Sequence, residues 1–194
     1  MSGTGDVAAP VTTGRREELL AATREVLATN GYERTTVSSI ATRANVAQGT
    51  FYLYFPSKEA LPGAIARQLS EALAAAAESA VEGIDDLDDT VDALVRATWD
   101  AAADHRDVIP IANRGVELAE SFEDVLEFTA PFRAVIEDLV RRFQGAGKID
   151  PTMDPVTTAY LVRDLLDRSV KAKVCFGQDR WAEETAQLVR RALA

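Results

Sequence analysis

The residues best suited to chemistry in this sequence lie together between positions 34 and 58. Tyr52 and Tyr54 put two hydroxyl-tipped rings near Lys58, and Gly49 and Thr50 add small side chains beside them. Arg34, Arg43 and Lys58 are the only charged residues in the stretch, so it is locally basic. No nucleophile is paired with a base, so the set does not read as catalytic. It offers a basic, hydrogen-bonding surface whose small residues let a helix backbone approach another surface closely. Phosphate attraction acts within roughly a Debye length, about 8 Å at physiological salt, so a local patch matters more than net charge. Duplex DNA is one such surface. A plain surface helix with an aromatic core side fits the same periodicity.

The elements that must position these residues are two short helices. Val37, Ile40, Ala41 and Ala44 recur at i, i+3, i+4 and i+7, the apolar stripe of a helix. Thr36 precedes the stripe and can accept its free backbone N–H groups. Asn45 follows, and Asn enters the left-handed region at low cost. Val46 and Phe51 flank a cap at Ala47 as a hydrophobic staple. A second helix over Gln48 to Tyr54 buries Phe51 and Phe55, with Gly49, Thr50, Tyr52 and Leu53 on its other side. Pro56 stops it and Ser57 caps the next helix. Two short helices across a three-residue turn form a helix-turn-helix, whose second helix lies in a DNA major groove.

Residues 15–61 resemble the DNA-binding domain of the TetR-type (TetR/AcrR) transcriptional repressors. The resemblance rests on Gly31-Tyr32, Thr35-Thr36-Val37 and Ile40-Ala41, and on the gapless run from Val46 to Leu61. It implies that Gln48, Gly49, Thr50 and Tyr54 read base edges, with Gln48 placed for a bidentate adenine contact. It also implies that Thr36, Arg43, Tyr52 and Lys58 hold phosphates and fix register. Asn45 stands where the family often has Gly and keeps the turn chemistry. Ala47 stands where Ser is common and forgoes a side-chain cap. Pro62 is a further departure: in a fourth helix starting at Ser57 it lies past the harmless first positions and is expected to kink it. That start is also expected to add free N–H groups and positive dipole to Lys58 for a phosphate.

The composition sets the frame around the reader. The chain has 194 residues and a formal net charge of −10. Residues 1–56 hold five basic and five acidic groups, and residues 57–194 hold sixteen basic and twenty-six acidic groups. The acidic remainder repels DNA, so a complex must present the N-terminal face. Strand signals are scarce and helical spacing is general, which predicts an all-α protein. About nine helices are expected: a three-helix helix-turn-helix domain over 15–61 and a larger effector-binding and dimerisation domain over 62–194, with 1–14 a disordered arm and the first helix starting at Arg15. No run approaches the ~18 apolar residues of a membrane span, and no signal peptide is visible. The single Cys175 excludes an internal disulfide and fits a reducing compartment, so a cytoplasmic location is expected. One Cys and one His make a zinc site improbable. Asp85, Asp86, Asp88 and Asp89 lack the spacing of a calcium loop. Gly145-Ala146-Gly147 lacks the spacing of a phosphate loop, and neither HExxH nor a dinucleotide glycine pattern occurs. No enzyme activity, metal or cofactor is expected.

Two surfaces remain in the larger domain. The resemblance implies an effector pocket among the middle helices, and the polar candidates are Asn113, Arg114, Glu117, Tyr160 and Asp164. Trp99, Phe122, Phe128 and Phe132 are candidate walls, each of which also reads as plain core packing. The ligand is an unspecified small molecule. The eighth helix (Pro155–Val174) and ninth (Arg180–Leu193) carry more apolar surface than one core requires. Ordinary core packing explains that equally well on pattern alone. The resemblance implies a homodimer through these helices, with Leu165, Val170, Trp181, Leu188 and Val189 at the interface. Arg163 with Asp167 and Asp164 with Arg168 stand at i,i+4 spacing. They read as surface links, or as groups facing a two-fold axis or a pocket.

Overall fold

Periodic apolar spacing without strand signals gives nine helices and no strand among the described residues, 11–193 of the computed structural model. They are α1 (Val11–Asn30), α2 (Val37–Arg43), α3 (Gln48–Tyr52), α4 (Ala60–Val81), α5 (Leu87–Asp104), α6 (Ile109–Glu117), α7 (Phe122–Gly145), α8 (Pro155–Phe176) and α9 (Trp181–Leu193). The first helix starts at Val11 rather than Arg15. Gly14 is the weakest helix former in that extra turn, and one glycine costs only about 1 kcal/mol. The rest of the arm predicted to be disordered lies outside the described residues.

Two apolar cores form. Leu19, Leu20, Ile40, Phe51, Phe55, Leu61 and Ile65 join α1, α2, α3 and the start of α4 around the reader. Leu94, Trp99, Phe132, Ile136, Val140, Leu166, Val170 and Val189 join α4, α5, α7, α8 and α9. The short α6 belongs to both. Val108, its N-cap, and Ile111 pack into the reader core, while Ile109 packs into the larger one.

Pro62 does not kink α4. The helix begins at Ala60 with Glu59 as its cap, so Pro62 is its third residue. There its missing N–H is one of the unpaired ones anyway. The proline ring clashes with the carbonyl four residues back, here Lys58, so the helix cannot begin as early as Ser57. The cap at Ser57 and the phosphate-binding helix start beside Lys58 are corrected together. Ser57 instead hydrogen-bonds the Glu59 carboxylate and holds its pKa below the usual range. Pro62 serves a different contact. A Cβ at Gly115 would stand 2.6 Å from the Pro62 carbonyl carbon and oxygen, so α6 crosses α4 at backbone distance.

Pro131 lies inside α7, which runs unbroken through it, and α4 supplies the missing partners. The Glu127 carbonyl loses its helical donor to the proline. Arg67 Nη1 donates to it at 3.5 Å, and one residue on the Phe132 N–H donates to Ser70 Oγ at 3.0 Å. In α8, Pro155 occupies the first turn and the Asp154 carboxylate accepts the Thr157 N–H at 2.9 Å. The Thr157 hydroxyl and N–H hold the Asp154 pKa down. Gly177 closes α8 at φ +67°.

Candidate nucleic-acid interface

The reader is locked from below and bare above. Thr36 Oγ1 accepts the Ser39 N–H and Ser39 Oγ accepts the Thr36 N–H, each at 3.1 Å, which fixes the start of α2. Asn45 is the one non-glycine residue with positive φ among the described residues, at +54°. It makes the turn that aims α3. Ala47 caps α3 with no side-chain bond, and Phe51 anchors it with ring contacts to Tyr52 at 5.4 Å and Phe55 at 5.5 Å. The helix ends at Tyr52, two residues short of the expected Tyr54, because Leu53 and Tyr54 continue as a turn before Pro56.

The outer face of α3 is open. Gln48 and Gly49 are exposed, and a Cβ on Gly49 would meet nothing within 4 Å. Tyr52 is 52% exposed and Leu53 80%. Thr50 is half-buried, and Tyr54 packs against the reader core with part of its surface free. Thr36 is exposed at the start of α2. Arg43 is exposed and pairs with Glu25 of α1. Lys58 donates one of its three N–H groups to the Tyr32 carbonyl at 3.3 Å and lies 4.5 Å from the Tyr32 ring centre. The eight predicted DNA residues thus gather on α2, α3 and the turn before α4, although the two phosphate cations have partners within the chain.

Tyr32 ties this surface to the larger unit, and sequence reasoning missed the junction. The Arg114 guanidinium lies over the Tyr32 ring, 4.3 Å from its centre, and its Nη2 donates to Glu33 at 2.7 Å. The Tyr32 hydroxyl is buried without a partner among the described residues. Burial first, then Glu59, pushes its pKa up. The available signal was Gly31-Tyr32 itself, an aromatic held where α1 ends.

Of the seven predicted pocket residues, two line a cavity and five do not. A cavity of ≈ 70 Å³ lies between α4, α5, α6, α7 and α8. Asn113 and Phe132 line it. Arg114 faces the reader instead, because adjacent helix residues point about 100° apart and Asn113 with Val116 takes the cavity side. Glu117 is exposed at the end of α6. Trp99 is core, 4% exposed, with its indole N–H donating to Ser169 Oγ at 3.0 Å. Tyr160 stacks edge-on to Phe122 at 5.3 Å between α7 and α8. Asp164 pairs with Arg163, and Asp167 pairs with Lys171 at 2.7 Å, so neither expected i,i+4 link forms. Arg163 is drawn inward to line the cavity with Asp167. Both were visible as charges on an apolar helix, but periodicity alone did not place them inside.

The dimer face also separates. Val189 and Val170 are buried in the protomer's own core at 1% and 6% exposure, so they are not available to a partner. Leu165 is half-buried, and Trp181 and Leu188 are open. Leu161 and Phe176 of α8 are exposed with them.

Residues 19–65 match the family of bacterial regulatory proteins of the tetR type. Over 173 residues the chain is 28% identical to the uncharacterised HTH-type transcriptional regulator YvdT of Bacillus subtilis, spanning 89% of each protein. Residues 19–65 are a TetR-family DNA-binding domain, and the chain is similar to transcriptional regulators along most of its length. The regulator is also 43% identical over 70 residues to the HTH-type transcriptional repressor KstR of Mycobacterium tuberculosis, 36% of this chain and 32% of that one. In fold it is similar to FadR from Bacillus subtilis solved with stearoyl-CoA, with TM-score 0.71, 19% identity and coverage of 92% and 99%. These relatives are regulators, not enzymes. No helix among the regulator's described residues is long and apolar enough to cross a membrane.

Proposed function

We propose that the regulator binds a near-palindromic operator as a homodimer, represses from it, and is released when a small molecule fills the cavity. The observation that carries this reading is the open face of α3, with Gln48, Gly49 and Tyr52 exposed on a stretch that has three cations and no acid. Gln48, Gly49, Thr50 and Tyr54 read base edges, while Thr36, Arg43, Tyr52 and Lys58 hold phosphates. Arg43 exchanges Glu25 for a phosphate, and Lys58 keeps Tyr32 while a free N–H turns outward. The dimer uses Leu161, Leu165, Phe176, Trp181 and Leu188. Two readers on a two-fold axis then meet half-sites about 34–36 Å apart. The experiment is selection of bound duplexes from a random pool. Enrichment of an inverted repeat with that spacing supports the reading, and an unenriched pool refutes it.

The switch runs through α6. One face of this helix lines the cavity with Ile109, Ala112, Asn113 and Val116, and the next side chain, Arg114, grips Tyr32 and Glu33 of the reader. Gly115 sets it against the backbone of α4. A ligand that prefers the non-DNA conformation therefore acts on both units through nine residues of helix. FadR was solved with stearoyl-CoA. A cavity of ≈ 70 Å³ suits a much smaller molecule here.

A further inference from the structure

We propose that Arg114 of α6 sets the reader's affinity for DNA without touching DNA: it holds the Glu33 carboxylate and so leaves Lys58 free for a phosphate. This deepens the proposed function and rests on reading Lys58 as a phosphate ligand. Three charged groups meet around Tyr32. Lys58 Nζ donates to the Tyr32 carbonyl at 3.3 Å and lies 4.5 Å from the centre of its ring. The Arg114 guanidinium lies 4.3 Å from the same centre. The third group is Glu33, the next residue in the chain, whose carboxylate accepts from Arg114 Nη2 at 2.7 Å.

Covalent geometry makes Glu33 the rival of a phosphate. The Tyr32 carbonyl belongs to the peptide bond that joins it to Glu33, and its oxygen stands about 3 Å from the Glu33 Cα. Lys58 Nζ is therefore about 6 Å or less from that Cα, within reach of the Glu33 side chain. That side chain is 78% exposed, so it has room to turn once Arg114 lets go. Glu33 is the one acid in the loop between α1 and α2. Its charged neighbours have partners of their own. Ser57 hydrogen-bonds the Glu59 carboxylate, and Arg34 Nε donates to the Asn30 carbonyl at 2.9 Å. The ion pairs among the described residues leave Lys58 without a carboxylate. Without Arg114, Glu33 and a DNA phosphate compete for one ammonium. Because α6 also lines the cavity, a movement that parts Arg114 from Glu33 hands Lys58 to Glu33.

The test is a set of variants of the full chain, titrated with the duplex enriched from the random pool. A mixed-sequence duplex at low salt replaces it if none is enriched, since phosphate contacts carry no sequence information. Arg114→Met keeps a stem for the Tyr32 ring and removes the charge. It should bind about tenfold more weakly, because each of two readers must first break a surface ion pair. Adding Glu33→Gln should restore the affinity of the unmodified protein, and Glu33→Gln alone should bind at least as tightly. In a Lys58→Ala background, Arg114→Met should cost nothing further. If Arg114→Met does not fold, Arg114→Gln takes its place. Full affinity in the Arg114 variant, as when Arg34 takes the freed carboxylate, overturns the proposal. So does a loss that Glu33→Gln does not rescue or that persists in the Lys58→Ala background, since either marks a structural effect or a direct contact of Arg114. A Lys58→Ala variant that binds as tightly as the unmodified protein overturns the reading of Lys58, and the proposal with it.

Discussion

At the residue scale, the proposed function gives Gln48 and Lys58 different parts in recognition. Gln48 is exposed on a helix whose neighbour Gly49 leaves open space, so its amide is free for a base edge. Gln48→Ala should relax preference at one operator position by about 1–3 kcal/mol. Lys58→Ala should weaken binding on every sequence and lower the salt slope by about one unit per reader. Binding to a panel of single-base operator variants separates the two, and equal losses across the panel for both mutants would count against the division. Much of this was legible in the sequence because the reader is built from local rules. The Thr36 cap, the left-handed Asn45, the uncapped Ala47 and the Phe51 anchor each depend on residues within a few positions. The partners of Arg43 and Lys58 were not legible, since Glu25 and Tyr32 approach only once α1 has folded back on α2 and α4.

At the element scale, α6 and the start of α4 form the joint of the molecule. Gly115→Ala sets a methyl 2.6 Å from the Pro62 backbone, where no side-chain rotation can relieve it. The helices must separate, at a cost of about 1–3 kcal/mol. Thermal unfolding should show a fall of roughly 2–4 °C per kcal/mol, and an unchanged melting point would mean the crossing is looser than described. Arg114→Ala should lower stability only modestly, by about 1–2 kcal/mol, because it loses the pair with the exposed Glu33 and the stacking on the Tyr32 ring. It should instead reduce the factor by which a bound effector weakens DNA binding. Competition titrations with and without operator measure that factor in both directions, and an unaltered factor would remove Arg114 from the switch. Sequence placed Pro62 in a kink because the start of α4 was set too early by its serine. The proline itself forces the later start. Arg114 read as a pocket residue because both faces of α6 are buried against something, and periodicity does not say against what.

At the scale of the whole molecule, charge and apolar surface bear on the proposed approach to DNA and on the proposed dimer. The net charge of −10 falls entirely outside residues 1–56, so the reader end alone can approach a duplex. Leu188 is 54% exposed beside Trp181 at 47%. Leu188→Arg should yield folded monomers with poor operator affinity, read by sedimentation velocity. A persistent dimer would move the interface away from α8 and α9. Sequence flagged these helices as over-apolar but could not sort Val170 and Val189, which fill the protomer core, from Leu188, which faces out. That sorting depends on which side of α9 packs on α5, a tertiary fact. The central claim, that two basic readers neutralise operator phosphates, is tested most directly by the salt dependence of operator binding. Arg43 and Lys58 in each of two readers give four charged phosphate contacts, so log K against log salt should fall with a slope of about −3.5 or steeper. The Arg43→Ala, Lys58→Ala double variant should flatten it by about 3.5 units. A shallow slope in the unmodified protein, or the same steep slope in the double variant, would contradict the account.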